Sequence, residues 1–402
     1  MPKKYDDAEI LGAYYQAGTK AGGAELLKMD DRNYRRRLNK LLKKQQPQTT
    51  GCSVLPPAEE HRLERQNKLL RKEVKDLKQQ LAEDKEIAGL LSAAASEKPA
   101  RPLSIKRPGK KKPVVAATAF LSDTHFDETV NPDEMNGVNA YDRDIAERRL
   151  QVFGEKTILM AHNYMAEFNV HHLDIPLGGD IVSGNIHDEL ARSNQDEIMG
   201  TVVHWSTQIQ AMICGLAKEF RTIHVPCVVG NHGRNTKKPR HKGKVRDNFD
   251  WLIYQTVQRL VERSGAKNVS FQIAPTSDVM WETEGYRYLM THGDQARGGT
   301  GWGGIYSPIM RMYEKKVKRE AGFGRGFDYL ILGHWHQYKD LGRVVINGSL
   351  KGYDEFANDN NFEPEPPQQG FWLTDKRFGK ILSAPLFVAD GEDIHMRSRK
   401  AA

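Results

Sequence analysis

The stretch ATAFLSDTHF, residues 117–126, decides the fold. Its apolar run at 119–121 suits a buried strand, and it ends abruptly in Ser122-Asp123-Thr124-His125, polar groups that a sheet interior does not tolerate unpaired. A strand that delivers a carboxylate and an imidazole at its end is how α/β sheets present chemistry, on loops held by a rigid scaffold. The pattern recurs downstream. Residues 173–177 lead into Gly179-Asp180, 225–229 into Gly230-Asn231-His232, 288–290 into Thr291-His292-Gly293-Asp294, and 329–332 into Gly333-His334-Trp335-His336. Helical stretches at 147–168, 197–220, 248–264 and 308–320 fill the gaps, which predicts an α/β domain over 114–390.

Carboxylate, amide and imidazole donors together suit Mn²⁺, Fe or Zn²⁺ better than Mg²⁺ or Ca²⁺, which prefer oxygen alone, and thiolate is absent from the set. In Asp-x-His and His-x-His an extended backbone would place both named side chains on one side, aimed at one site.

In order, type and spacing these segments resemble the calcineurin-like metallophosphoesterase superfamily, whose pattern is D-x-H, G-D, G-N-H, a later H, and G-H-x-H. The resemblance covers roughly residues 114–388. It implies a two-layer β sandwich flanked by helices, with two divalent metals at one edge. Asp123, His125 and His336 would hold one metal, Asn231, His292 and His334 the other, and Asp180 would bridge them. Mn²⁺ is the first expectation, with Fe or Zn²⁺ as alternatives. Two cations about 3.5–4 Å apart can share a water, lower its pKa to give a bridging hydroxide, and neutralise charge on the attacking and leaving oxygens. His232 matches the family histidine that faces the substrate rather than a metal and is the expected catalytic residue.

The chain departs from the family in two places. Many relatives carry an acidic residue directly after G-N-H, where Gly233 and Arg234 stand here, which leaves the support of His232 open. The second motif continues IVSGNIHDEL without a further Asp seen in many relatives, although Asn185, His187 and Asp188 could line the site. Arg234 can fork two bonds to a phosphate. Lys237, Lys238 and Arg240 behind it, and Arg297 beyond the later histidine, read either as a track for a polyanion or as a solvated face. The glycine loop at 299–304 formally matches G-x-G-x-x-G, but it has no βαβ unit around it, so a dinucleotide site is rejected.

The first hundred residues lie outside the resemblance. Residues 1–50 hold three short apolar clusters in a trihelical rhythm, and the last follows Asp30-Asp31 and carries Arg32, Arg35, Arg36, Arg37 and Lys40. This resembles a helix-turn-helix module with a basic recognition helix. Over 57–92 Leu63, Leu70 and Leu77 alternate with Asn67, Val74 and Leu81 in a heptad seam, which predicts a short coiled coil and a homodimer. Residues 93–113 read as a basic Pro/Lys linker and 391–402 as a tail.

The net charge of +8 favours an acidic partner, and the basic residues crowd the N-terminal part. Three scattered cysteines make a disulfide framework improbable, and no apolar run reaches the length of a membrane span. The expectation is a cytoplasmic protein, in a host's cytoplasm if of phage origin, with no membrane partner. Taken together, the leading reading is a metal-dependent phosphodiester hydrolase acting on DNA, similar to repair and recombination nucleases of bacteria and phages. The alternatives are a phosphomonoesterase or small-molecule phosphodiesterase, and a catalytically inactive, DNA-binding dimeric adaptor.

Overall fold

A computed structural model describes residues 5–44, 57–96, 112–186, 188–298 and 304–389. Most of the Gln/Pro/Thr break and of the basic linker, His187, the glycine loop apart from Gly304, and the tail lie outside these residues. The chain divides into two compact units, Met1–Ser104 and Ile105–Ala402.

The first unit holds α1 (Asp7–Ala17), α2 (Lys20–Leu26), α3 (Asp31–Lys44) and α4 (Pro57–Ser96). Asp6 and Glu9 form a reciprocal capping box at the start of α1, and Thr19 caps α2. Ile10, Ala13, Ala24, Tyr34 and Leu38 close a small core, in which the Tyr34 hydroxyl donates to the Ile10 carbonyl at 2.9 Å. The 40-residue α4 continues four residues into the stretch expected to be linker, and its leucines are exposed.

The second unit runs β1 (Val114–Phe120), α5 (Arg143–Ile158, continued by a π-helical turn, Leu159–Tyr164), β2 (Asn169–Asp174), α6 (Asp188–Ser193), α7 (Ile198–Leu216), β3 (Thr222–Cys227) and α8 (Phe249–Ser264). It goes on through β4 (Val269–Ile273), β5 (Asp278–Thr283), β6 (Tyr286–Thr291), α9 (Tyr306–Gly322), β7 (Tyr329–Leu332), β8 (Lys339–Asp340), β9 (Val344–Ile346), α10 (Glu355–Asp359), β10 (Gln368–Asp375) and β11 (Gly379–Phe387). One sheet has the order β11-β10-β1-β2-β3-β4, with β1 to β4 parallel. The other has the order β5-β6-β7-β9-β8, with β6, β7 and β9 parallel.

Strict alternation along these strands builds the layers. On β1, Val115, Ala117 and Ala119 join the core under α5, α7 and α8, whereas Phe120 packs in the space between the sheets. Trp372, Tyr288, Ile331 and Val345 fill that same inter-sheet layer. Their neighbours Leu289, Leu330, Leu332, Val344 and Ile346 face α9 instead. The result is the expected α/β fold, a two-layer β sandwich flanked by helices. The loops bearing the motifs follow the ends of β1, β2, β3, β6 and β7. Bridges from Leu121 to Leu177 and from Leu177 to Cys227 carry the first sheet's register up to the motif loops.

Candidate metal centre

The backbone of the motif loops is not extended. Asp123, His125, Asp180, His334 and His336 have φ of 52°, 45°, 50°, 72° and 56°, in the left-handed region that costs a non-glycine residue about 1–3 kcal/mol. The expectation that an extended Asp-x-His or His-x-His aims both side chains one way is therefore corrected: left-handed turns aim them. Reciprocal hydrogen bonds hold the turns. Asp123 N–H donates to Gly179 O and His125 N–H to Asp180 O, each at 3.1 Å. His334 N–H donates to Asp123 Oδ1 at 2.8 Å, and His232 N–H to Asp180 Oδ1 at 2.7 Å. Gly230 lets the loops close, since a Cβ there would stand 2.1 Å from Asp180 Oδ1.

These turns bring together two triads, Asp123/His125/His336 and Asp180/His292/His334, each with its donor atoms within 4.8 Å of one another. His125 Nε2 lies 3.1 Å from His336 Nε2, and His292 Nε2 lies 3.1 Å from Asn231 Oδ1 and 2.9 Å from Asp180 Oδ2. The His292 Nδ1–H donates to the Gly178 carbonyl at 2.9 Å, so its Nε2 faces the other donors. The rings of His125 and His232 meet edge to face at 4.7 Å.

The electrostatics of this set are those of donors gathered for cations. Burial, with the neighbouring Asp180 carboxylate, pushes the Asp123 carboxyl up to about 7, against the pull of His292. Burial also holds His334 down at about 4 and, with Lys351, His336 at about 3, so these imidazoles are neutral and keep lone pairs to give. For His292, burial works against the charged form, but the Asp180 carboxylate outweighs it and raises the ring to about 10. Two carboxylates that are at most 1% exposed, packed among the protonated ring of His292 and the neutral rings of His334 and His336, are a costly arrangement from which divalent cations would remove the penalty. The residues present fit such a group.

His232 lines the cleft above the triads. Its Nδ1–H donates to the Ser183 carbonyl at 3.0 Å, which supplies the orientation that an acidic residue at 233 would otherwise give. Such a side chain has no room: a Cβ on Gly233 would stand 2.4 Å from Asn248 Oδ1 and 2.9 Å from the Asp250 carboxyl. Asp250 comes from the first turn of α8 and accepts from the backbone N–H of Asp180, Ile181 and Gly230 at 2.9–3.1 Å, bracing two ligand loops at once. No local motif marked it.

Lys351 was likewise not singled out from the sequence. It is 3% exposed, lines the cleft, and bridges Glu128 at 2.7 Å and Asp354 at 2.5 Å. The loop that carries it follows β9 and reads NGSLKGYD, residues 347–354, a polar and glycine-rich run after an apolar one. That resembles the other motif loops, but it contains no histidine.

The expected substrate residues lie off the cleft. The Arg234 guanidinium donates to the carbonyls of Asn231, Thr236 and Lys237 at 2.8–3.1 Å, so its fork organises the loop that carries it. Lys237 pairs with Asp188 at 2.6 Å, and Lys238 is exposed. Arg234 and Arg240 line a small cavity beside Asn231, and Arg240 and Arg297 share a larger one of about 790 Å³ with Arg319 and Arg325. In α3, Arg35 pairs with Asp31 and Arg37 is spent on Tyr5 O and Asp7. Arg32, Arg36 and Lys40 recur every four residues along one exposed stripe. Asn185 accepts from Asn194 at 3.4 Å, while Glu189 and Leu190 of α6 reach the cleft. No helix among the described residues is long and apolar enough to cross a membrane.

No family model and no curated protein matches this chain. Among solved structures it is similar to a Vps29 single mutant from Entamoeba histolytica, with 12% identity over 67% of this chain and 97% of that one and a TM-score of 0.27. It is also similar to a conserved predicted phosphoesterase from Streptococcus pneumoniae, with 9% identity over 67% and 95% and a TM-score of 0.25. Likenesses this distant carry no argument about ligand or activity, which rest on the side chains above.

Proposed function

We propose that this chain is a metal-dependent phosphodiester hydrolase of the calcineurin-like type acting on DNA. The observation that carries the reading is the convergence of two donor triads under a cleft lined by His232. Asp123, His125 and His336 would hold one divalent cation, and Asn231, His292 and His334 the other, with Asp180 between them. Mn²⁺ is the first candidate and Fe or Zn²⁺ the alternatives. Such a pair supplies an activated water and charge neutralisation at phosphorus.

The chain's own residues supply the rest. His232, fixed through Nδ1 on the Ser183 carbonyl, handles the proton of the leaving oxygen. Burial disfavours its charged form, so a proton placed on the ring is readily given up. Lys351 holds Glu128 and Asp354 together at the cleft wall and keeps that wall shaped around the phosphate.

DNA is favoured as substrate by the cations in the cavities beside the centre. From Asn231 the surface continues to Arg240 and Arg297, which suit phosphates, while Lys244, Arg319 and Arg325 in the same cavities pair with Asp294, Asp278 and Glu320. The stripe of Arg32, Arg36 and Lys40 on α3 would add duplex contacts, and the leucine seam of α4 would pair two copies. One observation favours the alternative of a small phosphomonoester: the cleft itself carries Glu128, Glu189, Glu363 and Glu365, which repel a polyanion.

The test is the purified full-length protein with Mn²⁺ against single-stranded DNA, duplex DNA and aryl mono- and diesters. DNA should be cut, and His232→Ala should lower turnover about a hundredfold or more while the bound metal, measured by elemental analysis, stays unchanged. Turnover of aryl monoesters that ignores DNA competitor would establish the phosphomonoesterase instead. DNA binding without hydrolysis of any ester would establish the adaptor.

A further inference from the structure

We infer that Phe356 and Phe362 form a base-stacking step at the mouth of the cleft, which selects DNA strands with unpaired bases; this rests on the nuclease reading above. Both rings line the cleft of about 500 Å³ that contains His125, His232 and His336. They are 67% and 48% exposed, and they meet edge to face with centroids 6.0 Å apart. Aromatic rings left in water beside a reaction centre are surface awaiting a flat apolar partner.

The step is built rigidly onto the metal centre. Leu350 N–H and the Ser349 hydroxyl both donate to Asp123 O, at 3.2 and 2.9 Å. Arg149, fully buried, donates to the carbonyls of Leu350 and Lys351, and Asn139 donates to those of Lys351 and Tyr353. Asp354, held by Lys351, caps α10, on which Phe356 sits. Phe362 is pinned through Tyr353 Oη to its carbonyl at 3.1 Å and through its own N–H to Ala357 O at 2.9 Å. Ordering the rings therefore costs little when a ligand arrives.

Charge says which part of a nucleotide this side receives. Glu128, Glu189, Glu363 and Glu365 line the cleft here, offset by Lys351 and by Lys339, which pairs with Glu365. Arg240 and Arg297 line the separate cavities beyond Asn231, where Arg325 is paired with Glu320. A backbone phosphate is repelled on the aromatic side and attracted on the other, so what enters the aromatic side is the uncharged base. Stacking on phenylalanine tolerates any base, because each has a π face, but bases inside a duplex already stack on one another and cannot reach the rings.

The experiment compares wild type, Phe356→Ala, Phe362→Ala, the double variant and Phe356→Tyr in the full-length protein. The substrates are a single-stranded oligonucleotide, the same strand with a run of abasic positions, and its blunt duplex. Binding of thymidine 5′-monophosphate against deoxyribose 5-phosphate is followed by isothermal titration calorimetry. Wild type should prefer the intact strand over the abasic one by about tenfold or more, and the monophosphate with a base over the one without. That ratio should collapse toward one in the double variant and stay as in wild type in Phe356→Tyr, which keeps an aromatic ring in place. DNA cleavage indifferent to base removal, or a blunt duplex cut as well as the single strand, overturns the stacking step and leaves the nuclease reading standing. Base-dependent binding that the alanines abolish, with no DNA cleavage, supports the step and sinks the nuclease reading.

Discussion

The floor of the cleft and the long helix α4 are inverted in opposite senses. Asp123, Asp180, His125 and His292 are at most 1% exposed, although charged and polar groups are costly to bury. On α4, Leu63, Leu70 and Leu77 are 42%, 50% and 56% exposed, although leucines on one stripe are what a helix normally hides. The cleft carboxylates accept from Ser122, His232 and His334 of their own chain yet stand in two donor triads whose ligating atoms crowd together, and the α4 leucines are left exposed among the described residues. On the proposed reading each would be completed from outside: the cleft by cations, and the helix by another apolar seam, a second copy of α4.

The sharpest break of that comparison comes at Asp180. Its carboxylate touches His292 and accepts from His232 N–H, between the two triads. Asp180→Asn removes the charge that two cations would share, so DNA hydrolysis should fall about a thousandfold or more. Wild type should also gain thermal stability on adding Mn²⁺, since a ligand at about 1,000 times its Kd contributes about 4 kcal/mol. The variant should lose most of that gain in a calorimetric scan. A variant that melts with the full metal-dependent increase would mean that the buried carboxylate is structural and the comparison misdrawn.

The second effect belongs to α4. Leu70→Asp with Leu77→Asp places charges in the proposed seam, and sedimentation should change from dimer to monomer while turnover of an aryl diester stays as in wild type. Asn67, at an a position and also exposed, should make the pairing in-register and two-stranded. Wild type sedimenting as a monomer at tens of micromolar would leave the exposed leucines as mere surface.

What the sequence disclosed follows from range. The strands before each motif and the helices between them were legible because period and turn chemistry are local, and the donors because Asp, Asn and His stand at the ends of apolar runs. Asp250, Lys351 and Arg149 were invisible because their partners lie elsewhere in the chain. Lys351 meets Glu128 223 residues away, and Arg149 meets the Leu350 carbonyl 201 residues away. One of the two carboxylates that Lys351 meets, Asp354, lies only three residues on, but nothing in that spacing announces burial or the distant Glu128. Arg234 illustrates the reverse case. It looked like a phosphate fork beside a catalytic histidine, yet the carbonyls it serves are those of its own loop. The left-handed turns at the donors were also out of reach, since Asp and His tolerate that region without advertising it.

The smallest effect supplies the control. Asp174 is also fully buried, with its oxygens met by His172 at 3.3 Å, His224 at 3.2 Å and Thr283 at 2.5 Å, but among the described residues it belongs to no donor group close enough to share an ion. Burial opposes the charged form of His172, but its hydrogen bond to Asp174 wins and holds it above the ordinary 6.5. A group raised in the folded state contributes its full stability below pH 6.5 and loses it as the pH climbs through the raised value. Unfolding by urea, followed by the tryptophans, all of which lie in the second unit, should therefore show a shallow decline in stability across that window. His172→Gln should flatten the decline, and Mn²⁺ should leave it unchanged. A slope that moves with metal would mean that this cluster, too, is finished from outside, and that burial of a carboxylate beside histidines does not by itself distinguish a completed site from one awaiting cations.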